Sequence, residues 1–455
     1  MQLWQLSATE LAARYRHGSL LPSAVLTAVW DRLMAVNPAI NAYATLDEAG
    51  ARCAAALSDA RFAAGTPRGA FDGIPLGIKD NITVGGMRCA WGSELWQDFV
   101  PDRDETPVAR LRAQGAVVLG KTNVSEFTLG RGNTDTRLFG TTRNPWDLAL
   151  TPGASTGGGA AGVAAGIGPV ALGTDGGGSI RRPACHCGLL GLKPTTGRVA
   201  RIDGLPPILH DAEVIGPLAR SVDDIAMVLT AIQGRHDEDR LSYPFDATDA
   251  EAALPSGLSI LYLPQVGDWP VDAPVAESCA VAARRMAALG HRVETVAAPF
   301  DVALFDTHWP VITAAGVAWL LRGKAWRGRI GATYEEMAEM GAGLSAAQYQ
   351  DALAAFRELH VQFARAFRRW DIIMTPTAGA LPWPAEQFGQ PHNRAFTGWV
   401  NAAGLPAINV PCDPSPEGLP IGAQFIAPFG QDWLLVALAR QIEAAHPWAQ
   451  RWPAL

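Results

Sequence analysis

Cysteine is scarce in this chain: six in 455 residues, too few and too scattered for a disulfide framework. Long apolar runs are missing as well. The longest stretch of small apolar residues, 160–173, is too short and too rich in glycine to span a bilayer. The N-terminal MQLWQLSATELAARYRHGSL holds no continuous apolar segment of the signal-peptide kind, so a soluble, cytoplasmic protein is expected. There is no long basic run, and the net charge of −7 argues against nucleic acid or an anionic membrane as partner. No H-E-x-x-H and no P-loop lysine occur. Cys185-His186-Cys187 suggests a metal, but third and fourth ligands at zinc spacing are absent. No metal and no cofactor are therefore expected.

What is present is a globular composition, 48% hydrophobic and 18% charged, in a chain long enough for one large or two smaller domains. Ser7 and Glu10 form a capping box ahead of Leu11 and Tyr15. A second helix is expected from near Ser23 to just before Pro38, and a third over 47–64. Strand 74–78, ending on Lys79, is followed by helix 107–114 and strand 116–119. Ser221 and Asp224 should cap another helix, and strands are expected at 258–263, 371–374 and 421–426. Alternation of this kind predicts an α/β layered fold around one sheet. Residues 301–348 break the rhythm with a helical pattern carrying Trp309, Trp319 and Trp326. Core packing explains most of these tryptophans; the alternative is a cap lining an apolar substrate pocket.

The unusual stretch is 151–194, dense in glycine, alanine and hydroxyl residues. Ser155 and Thr156 precede three glycines, and Gly176, Gly177 and Gly178 deliver Ser179. A glycine turn that sets several N–H groups beside a serine is what an oxyanion hole requires. Two other motifs occur here by accident. Gly153-Ala154-Ser155-Thr156-Gly157 matches the G-x-S-x-G nucleophile elbow, but Pro152 stands where the strand should enter. Gly157, Gly159 and Gly162 match G-x-G-x-x-G without an incoming strand or an acid about twenty positions on. Lys79 is the better companion. At the end of an apolar strand it should be partly desolvated, which lowers its pKa and lets it serve as a base; the plain alternative is a surface pair with Asp80 or Asp72. Ser-Lys catalysis is a known variant of the serine triad.

At this point the sequence resembles the amidase signature family. GIPLGIKDN, TPGASTGGGAAGVAAG, GTDGGGSIRRPA and GLKPT occur in its order and spacing, and TPTAG, NAAGLPAINVP and GLPIGAQFI extend the likeness toward the C-terminus. The resemblance implies a single large layered α/β/α domain over 1–455, built around a mixed, mostly central sheet. Its signature core would lie at about 70–200 and a helical cap-like insertion at about 301–348. It also implies that Ser179 is the nucleophile, that Ser155 is a relay serine following a cis peptide bond, and that Lys79 is the general base. The N–H groups of Gly176, Gly177, Gly178 and Ser179 would form the oxyanion hole. Asp175 and Arg181 would hold the turn in shape, Thr156 would hydrogen-bond near the site, and Leu129 and Gly130 would lie beside the acyl pocket.

Several positions depart from the family pattern. Ala154 replaces a glycine beside the expected cis bond, Thr156 a serine and Gly159 a common serine, while Gly176 replaces a larger residue and should open space near the substrate. No triad member is lost. The implied activity is stand-alone hydrolysis of amide C–N bonds, and by the same chemistry of carbamates or esters, on small molecules by a monomer or homodimer. The alternatives are the glutaminase component of a tRNA-dependent amidotransferase, a His-dependent α/β-hydrolase using Ser155, and a non-catalytic module that has kept the fold.

Overall fold

The computed structural model describes residues 2–130, 132–251, 253–254 and 256–455. Among these, the strands in chain order are β1 (Tyr43–Leu46), β2 (Pro75–Lys79), β3 (Val117–Thr122), β4 (Asp135–Thr136), β5 (Gly140–Thr141), β6 (Val170–Asp175) and β7 (Leu190–Lys193). They continue as β8 (Val214–Ala219), β9 (Ser259–Tyr262), β10 (Arg292–Glu294), β11 (Ile372–Pro376), β12 (Ala407–Pro411) and β13 (Gly422–Ile426). Eleven form one mixed sheet ordered β1-β3-β2-β6-β8-β7-β12-β13-β11-β9-β10, and β4 pairs with β5 apart from it. The α/β layered architecture is the expected one.

Burial explains the layers. Every residue of β2, β3, β6 and β8 is buried, as expected for strands covered on both faces rather than half-solvated. The covering helices are amphipathic. Val222–Ile232 turns Val222, Ile225, Val228, Leu229 and Ile232 inward at helical spacing. A second core lies under the C-terminal strands, where Phe363 stacks on Trp399 with ring centroids 5.2 Å apart.

Some boundaries differ from expectation. The second helix runs Pro22–Ile40 and carries Pro38 in its last turn, because its face from Val25 to Ile40 stays buried and packing outweighs the local preference. Ser221 does cap Val222–Ile232, accepting from the Asp224 N–H, but Asp224 caps a different helix: its carboxylate accepts from the N–H groups of Ala8 and Thr9. Strand β3 extends three residues beyond the expected end and carries buried Lys121. Strands β1, β4, β5, β6, β7, β8, β10 and β12 were not anticipated. Short and buried, several of them lack the polar alternation that marks a strand in sequence.

The 301–348 region is helical, as expected, with helices Ala303–Leu321 and Ala332–Ala342 packed together. Its tryptophans divide. Trp309 lines a cavity, Trp326 packs against a small apolar cluster containing Trp91 and Phe127, and Trp319 is about half exposed. No helix among the described residues is long and apolar enough to cross a membrane.

Candidate active site

Strands β2 and β6 are parallel neighbours, so their carboxyl ends open on the same side of the sheet, where ligands bind in open α/β sheets. Lys79 ends β2 and Thr174 is the penultimate residue of β6. The Lys79 side chain is fully buried. Its Nζ lies 2.8 Å from Ser155 Oγ, 2.8 Å from Thr174 Oγ1 and 3.1 Å from the Thr174 carbonyl oxygen. Neither Asp72 nor Asp80 pairs with it: Asp72 is held by Arg61, and Asp80 faces Lys121. Burial pulls the Lys79 amine down to about 7, against the opposing charges of Glu213 and Asp175. A neutral amine has two N–H donors and one lone pair. Thr174 can accept both donors, leaving the lone pair for the Ser155 hydroxyl.

Ser155 is delivered by the loop before helix Gly157–Ala164, and the Ala154–Ser155 peptide bond is cis. The glycines of this helix permit close approach: a Cβ on Gly158 would lie 2.4 Å from both the Ala42 carbonyl oxygen and the Asn123 nitrogen. Thr156 donates its N–H to the Ser179 carbonyl at 3.1 Å and its hydroxyl to the Thr174 carbonyl at 3.2 Å. The two serine segments therefore run side by side. The Ser155 and Ser179 hydroxyls are not hydrogen-bonded to each other, and Ser179 Oγ makes no side-chain hydrogen bond among the described residues.

The turn after β6 is held by Asp175. Its carboxylate accepts from the N–H groups of Gly178 at 2.6 Å and Ile180 at 3.1 Å, and takes Arg181 in a two-point ion pair. Asn401 donates to it as well. Burial alone would raise this carboxyl, but Arg181 outweighs burial and holds it well below the usual carboxylate range. Because the Gly178 N–H is committed to Asp175, the donors of the turn left without a partner among the described residues are the N–H groups of Gly176, Gly177 and Ser179. Gly178 has φ +116°, and a Cβ there would meet Thr397 Oγ1 at 2.2 Å. Gly176 does not leave open space as expected: Leu209 Cδ1 occupies it, 2.4 Å from where a Cβ would stand.

Ser179, Gly176 and Gly177 border a cavity of about 480 Å³. Leu129 and Gly130 line it, as do Phe305, Trp309, Met337, Met340 and Phe388, with Arg182, Arg394 and Glu336 among its charged residues. Trp383 and Trp399 are buried, and neither lines this cavity. The histidines stand apart. His186, in the Cys-His-Cys motif, is buried with its Nε2 against the Ala380 carbonyl, and burial lowers its ring to about 4. No histidine bonds Ser155 or Ser179 among the described residues, and none of their His, Cys, Asp or Glu residues form a group of three placed to hold a metal.

A family profile described as Amidase matches residues 24–436. The chain belongs to the amidase signature family. Within that family, the A component of the glutamyl-tRNA(Gln) amidotransferase of Alkaliphilus metalliredigens is 33% identical to it, with 97% of each chain covered. The amidase fold is shared with solved structures. A bacterial aryl acylamidase superposes with a TM-score of 0.91 at 27% identity, covering 98% of this chain and 97% of its own. The 6-aminohexanoate cyclic dimer hydrolase, solved with its substrate, gives 0.85 at 29% identity over 100% and 99%.

Sequence reasoning missed Thr174, Asn401 and Glu213. Thr174 had a local signal, lying two positions beyond Leu172 in an apolar strand that ends at the site. Asn401, which also donates to the Asp175 carbonyl, comes from more than two hundred residues away; it opens the NAAGLPAINVP stretch, but nothing local ties it to Asp175.

Proposed function

We propose that this amidase is a stand-alone hydrolase of amide C–N bonds acting through an acyl-enzyme. The observation that carries the reading is the neutral-leaning, buried Lys79 amine within 2.8 Å of Ser155, beside a glycine turn that presents Ser179 to a cavity. Ser179 Oγ attacks the carbonyl carbon and gives its proton to Ser155, which passes its own to the Lys79 lone pair. Rotation of the Ser179 side chain toward Ser155 on substrate binding supplies the missing contact, since catalytic hydrogen bonds often tighten only in the complex. The N–H groups of Gly176, Gly177 and Ser179 stabilise the oxyanion, usually the largest single contribution. The proton returns through Ser155 to the leaving nitrogen as the C–N bond breaks. Water then cleaves the ester by the same route in reverse, regenerating Ser179. The same chemistry extends to carbamates and esters.

Ser179→Ala should fold normally and lose at least about a thousandfold in kcat/KM on an anilide, together with labelling by a fluorophosphonate. A fluorophosphonate adduct on any other residue, or full activity in the variant, refutes the assignment.

The second reading, the glutaminase component of a tRNA-dependent amidotransferase, draws support from the name of the relative at 33% identity. Against it stands the apolar wall of Phe305, Trp309, Met337, Met340 and Phe388, which suits a carbon-rich substrate better than glutamine. Glutamine turnover exceeding that of every anilide and carbamate would favour it.

A further inference from the structure

The cavity beside Ser179 contains a charge that the proposed chemistry does not use. Arg182 follows Ser179 by three residues and is 8% exposed. Its Nε makes one long bond, 3.4 Å, to the Gly178 carbonyl, and its two terminal nitrogens bond no protein atom among the described residues. No carboxylate of those residues lies within ion-pair distance of it. The acid whose charge reaches it most strongly, Asp175, is already committed to Arg181, Asn401 and backbone N–H groups. Burial lowers the guanidinium only to about 10, so it remains a cation at neutral pH. Arg394 brings a second positive charge into the same cavity. The one acid among the described lining residues, Glu336, is an exposed residue of helix Ala332–Ala342.

A buried cation without a counter-ion is costly, and a single long bond to a carbonyl does not offset that cost. A ligand carboxylate does, because the two terminal nitrogens of a guanidinium match its two oxygens. We infer that the substrate of this site carries a carboxylate close to the scissile amide, and that Arg182 receives it. The apolar wall then takes the carbon skeleton. This inference rests on the amide-hydrolase reading above and narrows it to amides bearing an anionic group. Arg182 acts on specificity and does not touch the proton relay.

The test compares N-phenylsuccinamic acid, with a carboxylate on the acyl side, 4-butyramidobenzoic acid, with one on the amine side, and uncharged butyranilide. Each is assayed with the wild-type chain, Arg182→Gln and Arg182→Lys. At least one acid should exceed butyranilide in kcat/KM by about 10- to 100-fold in the wild type, the value of a charge-assisted hydrogen-bonded pair. Which acid responds identifies the side that Arg182 reads. Arg182→Gln should erase the preference mainly through KM, and Arg182→Lys should restore part of it. Equal or slower turnover of both acids, or a preference that survives in Arg182→Gln, overturns the inference. If no anilide is turned over, the hydrolase reading fails separately. Calorimetric binding of the same compounds to Ser179→Ala and to Ser179→Ala/Arg182→Gln then decides the point. Tighter binding of an acid that depends on Arg182 sustains the inference, and equal binding refutes it.

Discussion

A base must be neutral to accept a proton, so kcat/KM should rise with pH and level off above about 7, the value to which burial has pulled Lys79. The same burial has a stability signature that Lys79→Met exposes. The folded-state pKa lies below the value of about 10.4 for an unfolded lysine. Between about 7 and about 10.4 the unfolded chain therefore binds more protons than the native one. Stability from this group rises with pH across that window, and the penalty is complete below about 7. Methionine carries no such term. Integrating from pH 7 to pH 9, the wild type should gain about 2 kcal/mol relative to Lys79→Met. Superimposed is a pH-independent loss of about 1 kcal/mol for each hydrogen bond that Lys79 makes to Ser155 and Thr174. Urea-unfolding midpoints of both proteins at the two pH values measure the difference, and steady-state assays from pH 5.5 to 9 measure the activity. Parallel stabilities together with a flat activity profile would refute the claim that this lysine is buried and proton-poor. Activity of Lys79→Met within tenfold of wild type would remove it as the base.

Two further substitutions probe the turn. Gly178→Ala places a Cβ at φ +116° and 2.2 Å from Thr397 Oγ1, so it should destabilise the fold by more than about 1 kcal/mol and lower kcat at least tenfold by displacing Ser179; a thermal melt and an anilide assay check both, and wild-type values would contradict the steric reading. Asp175→Asn leaves Arg181 as a buried charge without its ion pair and should cost about 3–5 kcal/mol in denaturant unfolding, whereas a loss below about 1 kcal/mol would show that Gln424, Asn401 and the Thr397 carbonyl satisfy the guanidinium.

The readable parts of the sequence were those whose chemistry is local. A strand ending on Lys79, a three-glycine turn before Ser179, and Pro152 excluding an elbow at Ser155 are each statements about adjacent residues, and the structure has β2 ending on Lys79 and coil at Pro152. Reading Gly176 as open space failed because its neighbour, Leu209, is thirty-three residues away in sequence. Counting four oxyanion donors failed at Gly178 because a hydrogen bond to Asp175 depends on how the turn curls back, which no residue type announces. Pro38 was misjudged for the opposite reason: local preference was clear, and the buried face of its helix overrode it.

By itself, then, the sequence determined the layered α/β class, the chemical kinds of residue available and their grouping into short motifs, since periodicity and turn chemistry act over a few residues. Only the tertiary structure decided that Lys79 meets Ser155, that Thr174 takes the remaining N–H donors, and that Arg182 borders a cavity without a counter-ion among the described residues. Those outcomes depend on strand order and on burial. Desolvation, which lowers the pKa of a lysine and makes an arginine without a counter-ion costly, is a property of surroundings assembled from the whole chain.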